Sequence, residues 1–536
     1  MKGDSVVKQI QIKNFRSLKD TKMQTLSPIT VLVGENSSGK STFLRAFPLL
    51  KQSISKRTSG PILWAGDADD YVDFGSFEET VTNDGSNAIA FTFQFKLDDD
   101  SLFNRIRFYD DDDDELRADK LILDISNEIT ITSSNGSDHV SKMRLGINST
   151  TLGFDFDTKT VTTESGFSYT EAGIDELMPE NAKSTRASLR RYYSGSHCFG
   201  FRLPSIDTLI EQVFQSFPPE ETADIDSYDI RMMLYEIGAE LINTGKVSSI
   251  EEAEKRTRQM PEYAGIYNRL VSNIQENTDK NLMEVAKIVA GYSFYRKIDE
   301  YLYYYFRSIH YIAPLRATAE RYYRLRNLAV DEVDYQGKNL PIFINSLDDE
   351  QIADFNAWTN EHFGFCVSTD KSKGHLSLQI QLQGSDKSIN LSDTGFGYSQ
   401  VLPIITQLWE LTSRKKESRP MYLERNQRIP IVVAIEQPEL HLHPAVQARL
   451  AKAFIACIDL ARKNQCDIQL LIETHSETIV NYLGRAIARG LLKPDDVSVI
   501  LFEKGIDQSV TTVSNSGYDE DGYLVNWPYG FFDSEE

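Results

Sequence analysis

Positive charge is scarce in this chain. Its 536 residues carry 57 lysines and arginines against 79 aspartates and glutamates, a formal net charge of −22. A chain this acidic exerts no global pull on nucleic acid, so any such contact needs a local basic patch. Cysteine is scarce as well. Cys198, Cys366, Cys457 and Cys466 are widely spaced and form no C-x-x-C, which argues against a disulfide framework and suits reduced thiols in a cytoplasm. No apolar run is long enough to span a bilayer, the N-terminus is polar and charged, and no membrane partner is expected. A sustained heptad repeat is also missing, which excludes a long coiled coil. What remains is ordinary globular composition, 40% hydrophobic and 25% charged, with length for two to four domain-sized units.

The informative stretch is residues 31–42, V-L-V-G-E-N-S-S-G-K-S-T. Gly34, Gly39, Lys40 and Ser41 fill the G-x-x-x-x-G-K-[ST] phosphate-loop pattern. The glycines let successive backbone N–H groups turn inward toward phosphate oxygens, and the loop opens a helix whose N-terminus favours anions. Lys40 supplies a point charge to the β- and γ-phosphates, and Ser41 a hydroxyl to Mg²⁺. A chance Gly/Ser turn lacks this context, an apolar strand before the loop and a helical pattern (Phe43, Leu44, Phe47, Leu49, Leu50) after it. The expected ligands are therefore a nucleotide and Mg²⁺.

Elsewhere the chain reads as follows. Residues 6–15 alternate as a half-buried strand, and Arg16 and Ser17 either lean over the base or close a turn. Residues 71–81 suggest a loop near the nucleotide. Residues 88 to about 170 read as an antiparallel meander, with the acidic run 110–115 as a solvated hairpin tip rather than a metal site. From about 182 to 305 the pattern is helical, and 301–306 (Y-L-Y-Y-Y-F) reads as a buried helix-to-sheet seam in preference to a base-stacking surface. Arg316, just past a strand end, either faces a phosphate or pairs with a carboxylate. The expected division is 1–87, first part of the nucleotide-binding unit; 88–175, antiparallel β lobe; 176–306, helical insertion; 307–536, second part of the nucleotide-binding unit.

Three later stretches arrive in a telling order. Residues 389–400 (I-N-L-S-D-T-G-F-G-Y-S-Q) run into a helix and offer either a second phosphate-facing surface or a plain cap. Residues 431–444 (I-V-V-A-I-E-Q-P-E-L-H-L-H-P) read as a buried strand ending in carboxylates, where open α/β sheets place ligands. His441 and His443 in that stretch lack a third ligand at metal spacing and read as structural or interface residues. Residues 468–477 (I-Q-L-L-I-E-T-H-S-E) end a second buried strand at His475, either a γ-phosphate sensor or a strand cap.

Phosphate loop, signature-like helix, acidic strand end and strand-ending histidine, in that order, resemble the ATP-binding-cassette ATPases of the RecF, SMC and overcoming-lysogenization-defect group. Residues 34–41, 71–77, 312–316, 391–400, 435–444 and 473–476, with the tail 526–532 (N-W-P-Y-G-F-F), more closely resemble a family of prokaryotic AAA-labelled ATPases. Several of that family are encoded in antiphage operons beside a nuclease or another toxic effector. The resemblance covers both ends of the chain and little of residues 101–305.

The resemblance implies a phosphate-loop head with a mixed sheet, an antiparallel β lobe and a helical insertion. It implies phosphate binding by Gly34, Glu35, Asn36, Ser37, Ser38, Gly39, Lys40, Ser41 and Thr42. It implies Mg²⁺ near Ser41, the Walker-B acid Glu436 and a sensing glutamine, Gln52. Ser392, Gly395, Gly397 and Ser399 would reach the γ-phosphate of a second copy in a head-to-head ATP sandwich or larger assembly, with His475 as switch histidine. The usual catalytic glutamate is replaced by Gln437, which cannot take a proton from water, and Glu439 is the substitute candidate. The expectation is a slow ATPase without its own nuclease site, acting as a sensor or scaffold for a separate nuclease or toxin. The rival is a DNA-repair ATPase that clamps DNA through basic stretches at 186–191 and 414–416.

Overall fold

The computed structural model describes residues 7–98, 122–171, 198–247, 261–413 and 429–528, short gaps within these ranges aside. The acidic run 110–115, the basic stretches 186–191 and 414–416, and Gly395 lie outside the described residues.

The N-terminal strands are β1 (Val7–Phe15), β2 (Leu18–Asp20), β3 (Gln24–Thr25) and β4 (Ile29–Gly34), followed by helices α1 (Lys40–Ser55) and α2 (Phe77–Thr80). In β1 the apolar residues Val7, Ile10, Ile12 and Phe15 are buried between polar neighbours, as a half-buried strand requires. All six residues of β4 are buried, as expected for the centre of a parallel sheet covered on both faces.

Strands β5 (Ala88–Asp98), β6 (Ile122–Ser134), β7 (Ser137–Ile147), β8 (Thr150–Asp155), β9 (Thr160–Thr163) and β10 (Ser168–Thr170) form the expected antiparallel meander. The meander is not a free-standing lobe. β5 pairs with β1, giving one sheet in the order β10-β9-β8-β7-β6-β5-β1-β2, with β3 also on β1. Helices α3 (Asp207–Gln215), α4 (Ser227–Thr244), α5 (Pro261–Gln275) and α6 (Leu282–Arg307) follow. α6 lies on this sheet, with Tyr301 stacked on Phe95 at 4.7 Å and Phe306 against Phe93 at 5.2 Å. Both side chains are fully buried, so the aromatic run is the seam the sequence suggested. Large aromatics there contribute area and ring geometry at once.

The chain then returns through β11 (Ile309–Ile312), β12 (Tyr323–Arg324), α7 (Leu340–Ser346), α8 (Asp349–Phe363), β13 (Phe365–Ser372), β14 (His375–Leu382), β15 (Ser388–Asn390) and α9 (Phe396–Ser413). It ends with β16 (Ile431–Glu436), α10 (Pro444–Lys463), β17 (Ile468–Glu473), α11 (Glu477–Ala488), β18 (Val497–Glu503), β19 (Thr512–Tyr518) and β20 (Leu524–Val525). The central sheet runs β11-β16-β17-β4-β18-β19-β20, parallel from β11 to β18 and antiparallel beyond. Its faces serve two cores: Leu32 of β4 packs with the meander and α6, while Ile29, Val31 and Val33 pack with the helices after β11. The fold class is the expected one, an α/β phosphate-loop head with a mixed sheet, an antiparallel β region and inserted helices. Among the described residues no helix is long and apolar enough to cross a membrane.

Candidate nucleotide-binding site

Parallel pairing aligns the carboxyl ends of β4, β16 and β17, so the phosphate loop and two acidic strand ends share one sheet edge. The loop between β4 and α1 depends on its two glycines. A Cβ on Gly34 would strike the Phe502 carbonyl oxygen, and one on Gly39 would meet Ser17 Oγ at 2.8 Å and Leu18 Cδ2 at 2.9 Å. Gly39 also has φ 97°, a left-handed backbone that side chains resist. Glu35, Asn36 and Ser37 are exposed at the tip, whereas Ser38 is fully buried with its hydroxyl unpartnered. Lys40 begins α1, and its ammonium donates to the carbonyls of Gly34 (3.0 Å) and Glu35 (2.5 Å). Burial holds the Lys40 pKa below its ordinary value, against the opposing charges of Glu473, Glu439 and Glu35.

The two strand-end carboxylates are neighbours in register, Glu436 beside Glu473. Glu436 is fully committed. It accepts Arg45 Nε (2.8 Å) and Nη2 (2.6 Å) as a fork, and the Tyr311 hydroxyl at 2.7 Å. Glu473 accepts one bond, from Ser41 Oγ at 2.8 Å, and its Oε2 is buried without a partner. Burial first, and then the Glu436 charge, push the Glu473 pKa up to about 7, despite Ser41, Lys40 and Arg45. The hydroxyl expected beside Mg²⁺ therefore faces Glu473 and not Glu436. Arg45, one turn along α1 from Ser41, already occupies both oxygens of Glu436, the acid that the resemblance places at the metal.

The loop after β16 is pinned. Arg316, 5% exposed, donates to the carbonyls of Ala313 (3.1 Å), Gln400 (3.2 Å), Glu436 (3.2 Å) and Gln437 (2.9 Å). It thus neither faces a phosphate nor pairs with a carboxylate; it staples two loops together. Gln437 sits at φ 44° and donates its backbone N–H to the Glu473 carbonyl at 2.9 Å. Glu439 accepts the His475 backbone N–H at 2.7 Å, and burial raises its pKa. Partial burial, then the Lys40 charge, lower the His475 pKa. Lys40, Ser41, Gln437, Glu439, Glu473 and His475 therefore surround one edge.

Other expected residues lie elsewhere or do other work. Gln52 is 1% exposed, and its amide is saturated by backbone: it donates to the Leu63 and Val72 carbonyls (2.8 and 3.0 Å) and accepts the Val72 N–H (3.1 Å). It also stands eleven residues after Ser41, about 16 Å along the helix axis. In this structure Gln52, for which the resemblance implies a metal-sensing role, anchors the loop after α1. Ser399, which the resemblance places toward a second copy, is 5% exposed in the single chain. Ser392 is exposed and Gly397 half-buried. His443 caps α10, accepting the Ala445 N–H on Nδ1. Arg16 stacks over Phe74 at 5.2 Å and its N–H bonds the Thr80 carbonyl, so it closes a turn.

Glu473 and Arg45 were not anticipated as site residues. A strand-ending carboxylate directly before Thr474-His475 was the available signal for Glu473; nothing local marks Arg45, whose partner is 391 positions away. The donor set fits Mg²⁺: a hydroxyl and a buried, half-satisfied carboxylate are hard oxygen donors, and Mg²⁺ bound with a nucleotide takes few protein ligands. Among the described residues no group of three or more His, Cys, Asp or Glu forms a metal cluster.

A glycine-dependent phosphate loop at the carboxyl edge of a parallel sheet, flanked by acidic strand ends, defines a phosphate-loop nucleotide-binding protein. The family described as AAA ATPase domain matches residues 6–480, and the chain belongs to that family. ATP binding and ATPase activity come with that membership. No curated protein matches. Among solved structures, the SMC head domain from Thermotoga maritima is similar at 10% identity, covering 95% of this chain and 98% of that one with a TM-score of 0.33.

Proposed function

We propose that the chain binds MgATP on the phosphate loop, hydrolyses it slowly, and uses the bound state to control a separate effector. Backbone N–H groups of residues 34–42 and the Lys40 ammonium hold the phosphates. Ser41, backed by Glu473, holds Mg²⁺, which when bound supplies positive charge across the β- and γ-phosphates. His475 stands at the phosphate edge, and Glu439 is the remaining carboxylate near the loop that can accept a proton. The observation that carries this reading is the Ser41–Glu473 contact with its unpartnered carboxylate oxygen, next to a glutamine where an efficient hydrolase has a base. Such a site favours a long-lived ATP state, suited to a switch. Two copies closing on two ATP molecules, or a larger assembly, would read that state. A nuclease or toxin in antiphage defence is the output suggested by the resemblance of residues 34–41, 391–400, 435–444 and 473–476.

The test is a pull-down of tagged protein from its native host, wild-type under ATP-trapping conditions beside Lys40→Ala. A stoichiometric effector retained only by the ATP-competent form supports the reading. Recovery of DNA alone, released by moderate salt, replaces it with a DNA clamp.

A further inference from the structure

Between β11 and β12 the chain runs through residues 313–322 without helix or strand, yet two arginines there grip one neighbour at both of its ends. That neighbour is the stretch 390–400 leading into α9. Arg316 donates from Nη1 to the Gln400 carbonyl at 3.2 Å, and the Gln400 amide returns a bond to the Arg316 carbonyl at 3.5 Å. Arg321 meets the Asp393 carboxylate at 2.5 Å, and its carbonyl accepts the Asn390 amide at 3.1 Å. Asn390 Oδ1 in turn accepts the backbone N–H (3.0 Å) and the hydroxyl (2.8 Å) of Ser392. The two arginines are separated by at most about 18 Å of chain, so little slack lies between the two grips.

Arg316 also reaches the other way, from Nη2 to the carbonyls of Glu436 (3.2 Å) and Gln437 (2.9 Å) at the nucleotide edge. With Ala313, its four acceptors are all backbone carbonyls. Burial holds its pKa down at about 10, against the attraction of Glu439, Tyr311 and Glu436. Burying a guanidinium among carbonyls is costly, and apolar side chains fill such a space at less cost, so packing alone does not account for it. A planar fork fixes several carbonyls at set angles, which neither leucine nor lysine does. The loop it fixes adjoins the phosphate loop's acidic neighbours: Gln437 bonds the Glu473 carbonyl through its N–H, and Glu439 accepts the His475 N–H.

We propose that Arg316 and Arg321 are positioning residues that make residues 316–321 a strut, coupling the nucleotide edge of a chain to its own 390–400 stretch. Nucleotide on the phosphate loop orders residues 436–439, Arg316 carries that order to Gln400, and Arg321 holds the far end at Asp393. Arg321 also neutralises Asp393, a carboxylate that would otherwise repel a phosphate brought near Ser392. The steadied stretch is the one the resemblance turns toward a second copy. Its use there rests on the two-copy reading of the function; the coupling inside one chain does not.

Coupling needs a direct readout, and the test is amide hydrogen exchange followed by mass spectrometry on the full chain. Each protein is compared free and with saturating MgATP, at a dilution where light scattering gives the mass of one chain. In the wild type, MgATP should slow exchange across residues 391–404 by about fivefold or more. Arg316→Lys keeps the charge but loses the fork, and should abolish that slowing while the phosphate loop, residues 34–42, is still protected by MgATP. Arg321→Ala removes an exposed pair that adds little to stability, and should abolish the slowing at 391–394. Wild-type exchange at 391–404 that ignores MgATP overturns the proposal, as does equal slowing in wild type and Arg316→Lys. If Arg316→Lys does not fold, Arg321→Ala decides, and slowing retained at 391–394 overturns the strut. Coupling seen in a chain that never pairs with a second copy or retains an effector would retire only the switch reading.

Discussion

Two parallel strands, side by side, each deliver a glutamate to the same edge, and the two glutamates do opposite work. Glu436 at the end of β16 is neutralised by an arginine fork and a tyrosine hydroxyl. Glu473 at the end of β17 has one serine hydroxyl and an idle oxygen. A buried carboxylate that is fully paired contributes to a structure; one left half-satisfied costs stability and is kept where a ligand will complete it. The difference teaches that the acidic strand end named by the motif is the braced one, and its neighbour is the available one.

The hardest test of the site as a whole is Lys40→Ala, which should reduce ATP turnover to background in a phosphate-release assay. Equal rates for wild-type and variant would sink the ATPase reading altogether. Next in size is Gln437→Glu, which installs a proton acceptor between the two strand ends and should raise turnover by about 10²-fold. An unchanged rate would mean that the base is not what limits hydrolysis.

The comparison itself is broken or sharpened by treating the two glutamates alike. Glu473→Ala should lower the Mg²⁺-dependent ATP affinity by about ten- to a hundredfold while leaving the fold intact. Glu436→Ala should instead cost on the order of 2–3 kcal/mol of stability, because Arg45 loses its partner, though at 38% exposure Arg45 is not wholly desolvated. Titrations with and without Mg²⁺, beside chemical denaturation, separate the two outcomes. A reversed pattern would return the metal-side role to Glu436.

Acidity offers a finer probe. The Glu473 pKa is raised from 4.5 to about 7 in the folded chain. A raised carboxyl pKa favours the folded state while the group is protonated, so this contribution is full below about 4.5 and is lost as pH climbs through about 7. The size of the effect is on the order of 3 kcal/mol. Nucleotide-free protein should therefore lose stability as pH rises from about 4.5 to about 7, and Glu473→Gln should flatten the slope and be the more stable form at the upper end. Parallel slopes in both proteins would remove Glu473 as the source.

The sequence made the contiguous parts of this arrangement readable. A phosphate loop is a local object: strand, two glycines, lysine and hydroxyl within a dozen positions predict their own geometry. The two buried strands were legible for the same reason, being short apolar runs that stop at polar groups. The tyrosine seam of α6 was legible because large aromatics on one helix face have few uses other than packing. What escaped was pairing at a distance. Nothing near Arg45 says that it will reach Glu436, and without that fact the two strand ends look interchangeable. The burial of Ser399 was not legible either, because the first turn of α9 carries it inward, where it is 5% exposed.

Gln52 provides the smallest expected effect and a control for all the others. Its three hydrogen bonds tie α1 to the backbone at Leu63 and Val72, each side-chain polar atom being used. Gln52→Glu would replace the donating amide by an acceptor aimed at two carbonyl oxygens, in a place only 1% exposed. That should cost about 1–3 kcal/mol of stability, the penalty for a buried polar group left without its partner. The Mg²⁺ dependence of ATP binding should not change, because the side chain is turned into the protein and three turns of helix separate it from Ser41. The same titrations used for Glu473→Ala read this directly. A tenfold loss of Mg²⁺-dependent affinity in Gln52→Glu, at a temperature where the variant is folded, would mean that α1 and the loop it anchors move together when nucleotide binds. The sheet edge would then have to be understood as one part of a larger moving unit rather than as a finished site.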